Sequence, residues 1–246
     1  AYLGPEGSFS EQAALEFYGH AVQKLPCVSF DEVFRAVEAG RADVGMVPVE
    51  NSTEGAVNRT QDLLLSSTLK VHGERTIPIR HSLLHKTGDL SSVDRIYGHP
   101  QALAQCYQWL SINYPHLERV PAASNSEAAR LASLDSNVAA IAGLPAALIY
   151  QLEVVAEGIQ DDANNKTRFL AIGKIATARS GQDQTSLIFA VPNRAGAVLD
   201  MITPFARHGV SMTRFESRPA RTGQWEYYFY VDILGHIEEE SVALAL

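Results

Sequence analysis

The order of apolar and amphipathic segments predicts an α/β protein with a smaller α+β domain after it. Two observations carry this. Over residues 1–173, short apolar runs alternate with amphipathic stretches of helical length, the pattern of largely parallel sheets with covering helices. A polar, turn-rich linker, Ala178-Arg179-Ser180-Gly181-Gln182-Asp183, then gives way to a β-α-β-β-α order, which suits a ferredoxin-like domain.

The first strand is predicted at 1–3. It opens onto Gly4-Pro5-Glu6-Gly7-Ser8, and because Ala1 is not a methionine, residues are expected to precede it in the natural chain. Ser8-x-x-Glu11, Ser29-x-x-Glu32 and Ser124-x-x-Glu127 each read as a capping box, where the serine hydroxyl accepts a helix N–H and the glutamate reaches back. They place helices near 9–18, 30–39 and 127–133, the first two closed by Gly19 and Gly40 in left-handed conformation. Further helices are predicted near 57–65 and 101–113, and strands at 44–49, 96–98, 138–142 and 168–172. In the second domain the reading is a strand at 186–191, a helix at 196–208, a strand at 210–217, a turn at Arg221-Thr222-Gly223 and an alternating strand at 227–234. A helix would start at Glu238, with the last strand of the domain falling beyond this chain.

Composition narrows the function. Of 246 residues, 46% are hydrophobic and 20% charged, enough for packed cores. The formal charge of -8 argues against a nucleic-acid or anionic-membrane partner, which selects for clustered Lys and Arg. Cys27 and Cys106 stand alone, outside any zinc spacing, which fits a reduced cytoplasm. No apolar run reaches membrane-spanning length, and the first segment has no secretory pattern.

Four polar clusters fall between a strand end and a helix start: Gly4 to Ser8, Glu50-Asn51-Ser52, His99-Pro100-Gln101 and Ser124-Asn125-Ser126. In open α/β sheets that edge is where ligands bind. Glu50, Asn51 and Ser52 combine a carboxylate, an amide and a hydroxyl, and chemistry alone leaves an anion site and a plain capped helix start both open. Asn164-Asn165-Lys166-Thr167-Arg168-Phe169 crowds two amides, a hydroxyl and a guanidinium at the entry of an apolar strand. An arginine there can grip a carboxylate with two hydrogen bonds, or simply be a surface charge. His99 and Gln101 flank a proline suited to a first helical turn, and His81 and His85 lack a third ligand, so no metal site is predicted. The glycine loop has neither G-x-G-x-x-G nor a nucleotide-loop lysine, and there is no G-x-S-x-G elbow.

Taken in order, Gly-Pro-Glu-Gly-Ser-Phe-Ser (4–10), Val-Pro-Val-Glu-Asn-Ser (47–52), Gly-His-Pro-Gln-Ala (98–102) and Asn-Asn-Lys-Thr-Arg-Phe (164–169) resemble the prephenate dehydratase family, and the tail resembles its ACT regulatory domain. The resemblance implies a catalytic region at 1–177, two-lobed like a type II periplasmic binding protein, with one lobe at 1–78 and 159–177 and the other at 79–158. A ferredoxin-like ACT domain would follow at 183–246. It implies a cofactor-free lyase that converts prephenate to phenylpyruvate in phenylalanine biosynthesis, inhibited by L-phenylalanine and assembled as a homodimer or homotetramer. Carried onto this sequence, Thr167 is the catalytic hydroxyl, Arg168 is its neighbour on the substrate carboxylate, and Glu50 completes the catalytic set from the cleft lining. Ser8, Asn51, Ser52, His99, Gln101, Ser124, Asn165 and Phe169 would contact substrate. Phenylalanine would use Gly196, Ala197, Val198, Glu216, Ser217, Arg218 and Pro219, with Val198 standing where leucine is usual. Arogenate dehydratase, prephenate decarboxylase and a non-catalytic receptor of the same fold are the rival readings.

Overall fold

A computed structural model describes residues 1–220 and 226–246, in two units, 1–175 and 176–246. The first unit begins with β1 (Tyr2–Leu3), α1 (Phe9–Tyr18), β2 (Pro26–Cys27), α2 (Phe30–Glu38), β3 (Val44–Asn51), β4 (Gly55–Ala56), α3 (Asn58–Ser66) and β5 (Lys70–Pro78). There follow β6 (Ser82–His85), β7 (Arg95–Gly98), α4 (Pro100–Gln105), α5 (Tyr107–Asn113), β8 (Glu118–Pro121), α6 (Asn125–Leu134), β9 (Val138–Ala142), α7 (Leu144–Tyr150) and β10 (Glu153–Glu157). The chain then returns to the first sheet as β11 (Lys166–Gly173).

These strands form two sheets of one plan. The first has the order β2-β1-β3-β11-β5, with β4 beside β3, and the second read from its far edge is β8-β7-β9-β6-β10. In each, the first three strands are parallel and the fourth runs against both neighbours. This is the two-lobed arrangement of type II periplasmic binding proteins. The prediction of largely parallel sheets thus holds for three strands per lobe and misses the antiparallel β11 and β6. The chain crosses between lobes at 79–81 and 158–165, and the crossings bond to each other. Ile79 N–H donates to Asn165 O at 2.8 Å, Ile159 N–H to His81 O at 3.0 Å, and His81 N–H to Gln160 Oε1 at 3.0 Å.

Side-chain alternation sorts β11 onto two cores. Leu170 and Ile172 join Val33, Phe34, Val37, Val47 and Val49 on the α2 face, whereas Phe169 and Ala171 join Tyr2, Ala13, Met46 and Ile77 on the α1 face. The serines of all three capping boxes accept the expected N–H, from Glu11, Glu32 and Glu127. Their glutamates differ: Glu11 accepts from Gly7 N–H and Glu32 from Val28 N–H, one residue before the cap, while Glu127 pairs with Arg130. Gly40 has φ +71; Gly19 has positive φ with an extended ψ of 171° rather than the left-handed helical value.

The helix predicted near 101–113 is two, broken at Cys106. The break is stabilised from elsewhere, since the Asp161 carboxylate accepts N–H bonds from Gln108 and Trp109 and so starts α5 afresh.

The second unit comprises β12 (Gln184–Val191), α8 (Ala197–Arg207), β13 (Met212–Pro219), β14 (Tyr227–Leu234) and α9 (Glu240–Ala245), with the antiparallel order β12-β14-β13. Phe229, Val231 and Ile233 pack with Phe205 and Val242 to make its core. Asp183 closes the linker turn by accepting from Ser180 and Gly181 N–H. The turn expected at Arg221-Thr222-Gly223 lies outside the described residues.

Candidate active site

The site is built where β3 and β11 end side by side. Phe169 pairs with Pro48 but Arg168 pairs with Glu50, so Val49 is an extra residue, a β-bulge. Val47 and Val49 both face the α2 core, and strict alternation would send Asn51 there as well. The bulge shifts the phase by one residue, and Asn51 comes up on the face of its register partner Thr167.

Both side chains are buried, at 7% and 8% exposure. Asn51 Oδ1 accepts from Thr53 N–H (3.0 Å), Glu54 N–H (3.1 Å) and Thr53 Oγ–H (2.6 Å). Two backbone donors identify that atom as the carbonyl oxygen, so the amino group faces the other way. It donates to Thr167 Oγ at 2.8 Å, to Asn165 Oδ1 at 2.9 Å and to Lys166 O at 3.2 Å. Thr167 Oγ is therefore an acceptor toward Asn51, and its own hydrogen points away from that partner.

Residues to which the sequence assigned no part in the site complete the network. Gln105, at the end of α4 in the other lobe, accepts from Asn165 Nδ2 at 3.0 Å and donates to Thr53 Oγ at 3.1 Å. His81 Nε2 lies 3.0 Å from the same Gln105 Oε1, and Gln160 holds the His81 backbone. Their signal was topological: all lie at or against the two crossings. Cys106, next to Gln105, is a buried thiol whose pKa burial pushes up to about 12, which keeps it from thiolate chemistry.

The remaining predicted residues divide. Asn165 is in the network, and Ser52 is beside it, with its N–H on Lys166 O (2.9 Å) and its Oγ accepting Lys166 N–H (3.0 Å). Arg168 does not stand next to the Thr167 hydroxyl. Adjacent strand residues point to opposite faces, and Arg168 bonds Glu74 at 2.7 Å on the other side, across from Glu50. Phe169 is core, 2% exposed beneath Thr167, so it supports the site from below rather than lining it.

Ser8, His99 and Ser124 cap α1, α4 and α6. Ser8 spends its hydroxyl hydrogen on Leu3 O at 2.9 Å, His99 Nδ1 accepts from Gln101 N–H at 3.4 Å, and the Gln101 side chain is exposed. Burial lowers the His99 pKa. The loops after β1 and β9 touch: an added Cβ on Gly7 would lie 3.0 Å from Ala146 Cα, and Phe9 packs against Gly143. With Gln105 reaching Thr53, strand ends of both lobes converge on one cleft. Among the described residues no group of three or more His, Cys, Asp or Glu side chains gathers to hold a metal, and no helix is long and apolar enough to cross a membrane.

In the second unit Val191 and Pro219 both pair with Tyr227. The α8 start, Gly196-Ala197-Val198, thus follows the strand end that shares a sheet edge with Ser217, Arg218 and Pro219. Gly196 caps α8 at φ +82, Ala197 is buried and Val198 is 37% exposed. Glu216 pairs with Arg214, and the Arg218 guanidinium lies 6.0 Å from the Tyr230 ring centre.

A two-lobed α/β unit with a buried amide and hydroxyl pair in its cleft, followed by a β-α-β-β-α unit, is the architecture of a small-molecule-binding protein with a second α+β domain. The sequence model of the prephenate dehydratase family matches residues 1–177, and that of the ACT domain matches 185–246. The chain belongs to the prephenate dehydratase family. It is 49% identical to a bifunctional chorismate mutase/prephenate dehydratase of Neisseria gonorrhoeae, over 100% of this chain and 69% of that protein. A solved structure of prephenate dehydratase from Arthrobacter aurescens in complex with L-Phe superposes with TM-score 0.90 at 34% identity, covering 99% of this chain and 82% of the other. Another, of GqqA, described as a novel type of quorum quenching acylase, superposes with TM-score 0.88 at 29% identity, covering 100% and 90%. One fold can thus carry different chemistries, and the residues of the site have to carry the mechanism.

Proposed function

We propose that this chain converts prephenate to phenylpyruvate at the Asn51–Thr167 pair, with Thr167 donating the proton to the departing hydroxyl. In the reaction the bond between the ring and its carboxylate breaks, releasing carbon dioxide. The electron pair enters the ring, and the ring hydroxyl leaves as water with the Thr167 proton. Water then reprotonates Thr167, and aromatisation drives the reaction forward.

The observation that carries this reading is the 2.8 Å bond from Asn51 Nδ2 to Thr167 Oγ. An alkanol is a weak acid, and an amide donor fixed on its oxygen stabilises the negative charge that grows as the proton leaves. Burial strengthens that effect, and the backbone bonds at Asn51 Oδ1 mean the donor is oriented before substrate arrives. N–H groups at the starts of α1 and α6, capped by Ser8 and Ser124, and the His99, Gln101 and Ser52 loops are assigned to the dianion at the cleft mouth. Arg168 and Glu50 are assigned to holding the strand ends from the opposite face.

The same proposal gives the two lobes, 1–78 with 159–177 and 79–158, the roles of cleft walls, and 183–246 the role of phenylalanine sensor. The L-Phe complex of the Arthrobacter relative supports the sensor, as does the common sheet end of Gly196, Ala197 and Val198 with Ser217 and Pro219. Assembly as a homodimer or homotetramer belongs to the same proposal, and two buried free cysteines support a cytoplasmic location.

The test is phenylpyruvate formation by the purified protein from prephenate, with and without L-phenylalanine. Turnover that phenylalanine suppresses is the expected result. Turnover of arogenate alone would replace the substrate, and binding of prephenate without turnover would sink the enzymatic reading.

A further inference from the structure

The hydrogen bonds around Asn51 have one possible polarity, and it reaches His81. With Asn51 Oδ1 fixed by backbone N–H groups, Asn51 Nδ2 has to donate to Asn165 Oδ1, and Asn165 Nδ2 to Gln105 Oε1. Gln105 Nε2 then donates to Thr53 Oγ, whose hydrogen returns to Asn51 Oδ1, and the ring of four side chains closes. An oxygen therefore faces His81 Nε2 at 3.0 Å, so that nitrogen carries the hydrogen. His81 is 2% exposed, and its Nδ1 is buried with no partner. A second hydrogen there would bury a charge and an orphan donor together, and burial accordingly lowers the pKa. The imidazole packs edge-on against Phe9, with ring centres 5.6 Å apart.

We propose that His81 is a positioning residue for the dehydration, a neutral Nε2–H donor that acts through Gln105. Gln105 comes from one lobe, His81 and Asn165 from the crossings, and Thr53 and Asn51 from the other lobe. By clamping Gln105 Oε1 in place, His81 keeps Asn165 turned so that its Oδ1 receives Asn51, and Asn51 stays on Thr167. The clamp exists only when α4 lies against the crossings, so it ties the lobe arrangement to the orientation of the Thr167 hydroxyl. This inference rests on Thr167 being the proton donor.

The experiment pairs His81→Phe, which keeps a flat ring against Phe9 and deletes the donor, with His81→Gln, which restores an N–H near the Nε2 position. His81→Phe should lower kcat by about tenfold to a hundredfold with KM nearly unchanged, the scale of a small misplacement of reacting groups. His81→Gln should recover most of that loss. Nitrogen-15 NMR of the wild-type imidazole, read without substrate, should show a protonated Nε2 and a bare Nδ1 from pH 6 to 8. A His81→Phe enzyme with wild-type kcat, a His81→Gln enzyme as impaired as His81→Phe, or a protonated Nδ1 would each overturn the proposal. If His81→Phe does not fold, His81→Gln and the spectrum decide. A wild type that makes no phenylpyruvate would count against the dehydratase mechanism alone, because the tautomer is read independently of turnover.

Discussion

Replacing Thr167 with valine removes one hydroxyl and keeps the shape, and the structure separates what that costs in folding from what it costs in chemistry. The Asn51 amino group has two hydrogens and three acceptors within reach: Asn165 Oδ1 at 2.9 Å, Lys166 O at 3.2 Å and Thr167 Oγ at 2.8 Å. Without the hydroxyl, both hydrogens still have partners, so no buried donor is stranded. The folding cost should be that of one net hydrogen bond, about 1 kcal/mol, or about 2–4 °C in Tm for a unit of this size. The chemical cost is larger. Removing a general acid slows a reaction by about 10²–10⁴, which is about 2.7–5.4 kcal/mol of barrier. The assay follows phenylpyruvate formation at saturating prephenate, with Tm measured on the same preparations and Thr167→Ser as the control that keeps a hydroxyl. Thr167→Val should melt close to the wild type and lose at least about a hundredfold in kcat, while Thr167→Ser keeps most of its turnover. A Thr167→Val enzyme within about tenfold of wild type would refute the assignment, because no group that supplies the proton can be removed so cheaply.

Arg168→Ala breaks the pair with Glu74 on the face away from Thr167, so steady-state kinetics should show a raised KM and a smaller fall in kcat than Thr167→Val; equal kcat losses would mean that both residues act on the same step. Gly7→Ala puts a side chain at φ +80 and 3.0 Å from Ala146 Cα, which should cost about 1–3 kcal/mol in denaturant melts and raise KM by wedging the lobes; a lowered midpoint with unchanged KM would show that the loops do not meet in solution. His72, His81 and His99 are all held below the ordinary histidine value, chiefly by burial. Below about pH 6.5 the unfolded chain therefore binds protons that the folded chain refuses. Stability is full above that pH and falls as pH drops toward the folded values, so denaturation midpoints should decrease from pH 7.5 to 5.5; a flat or rising profile would contradict the burial of these rings.

Much of the fold could be read locally, and the reason is that capping and burial are local or periodic effects. Ser8, Ser29 and Ser124 announce their helices because a hydroxyl three residues ahead of a free N–H is a short-range event. The apolar run at β9 needs no partner to be recognised as a buried strand. Such reasoning failed where a residue's role is set from far away. The α4–α5 break depends on Asp161, more than fifty residues later, and β11 finds its antiparallel place only after the chain has built a whole second lobe. The polar character of β5, Lys70 to Pro78, follows from its position at the sheet edge, a fact of topology that its own letters do not contain.

The site shows the same division at the level of single side chains. Its residue types were visible at the ends of β3 and β11, yet adjacency in sequence suggested that Thr167 and Arg168 work together, and a strand sends neighbours to opposite faces. The partner of Thr167 is instead Asn51, 116 positions away and brought to the right face by one extra residue at Val49. Had β3 kept Val49 in an unbroken alternation, Asn51 would lie on the α2 face, among Val33, Val37 and Val47, and Thr167 would be without its donor. A polar side chain in an apolar core and a weak acid without support are both unfavourable, so the bulge links the packing of the first lobe directly to the chemistry in the cleft.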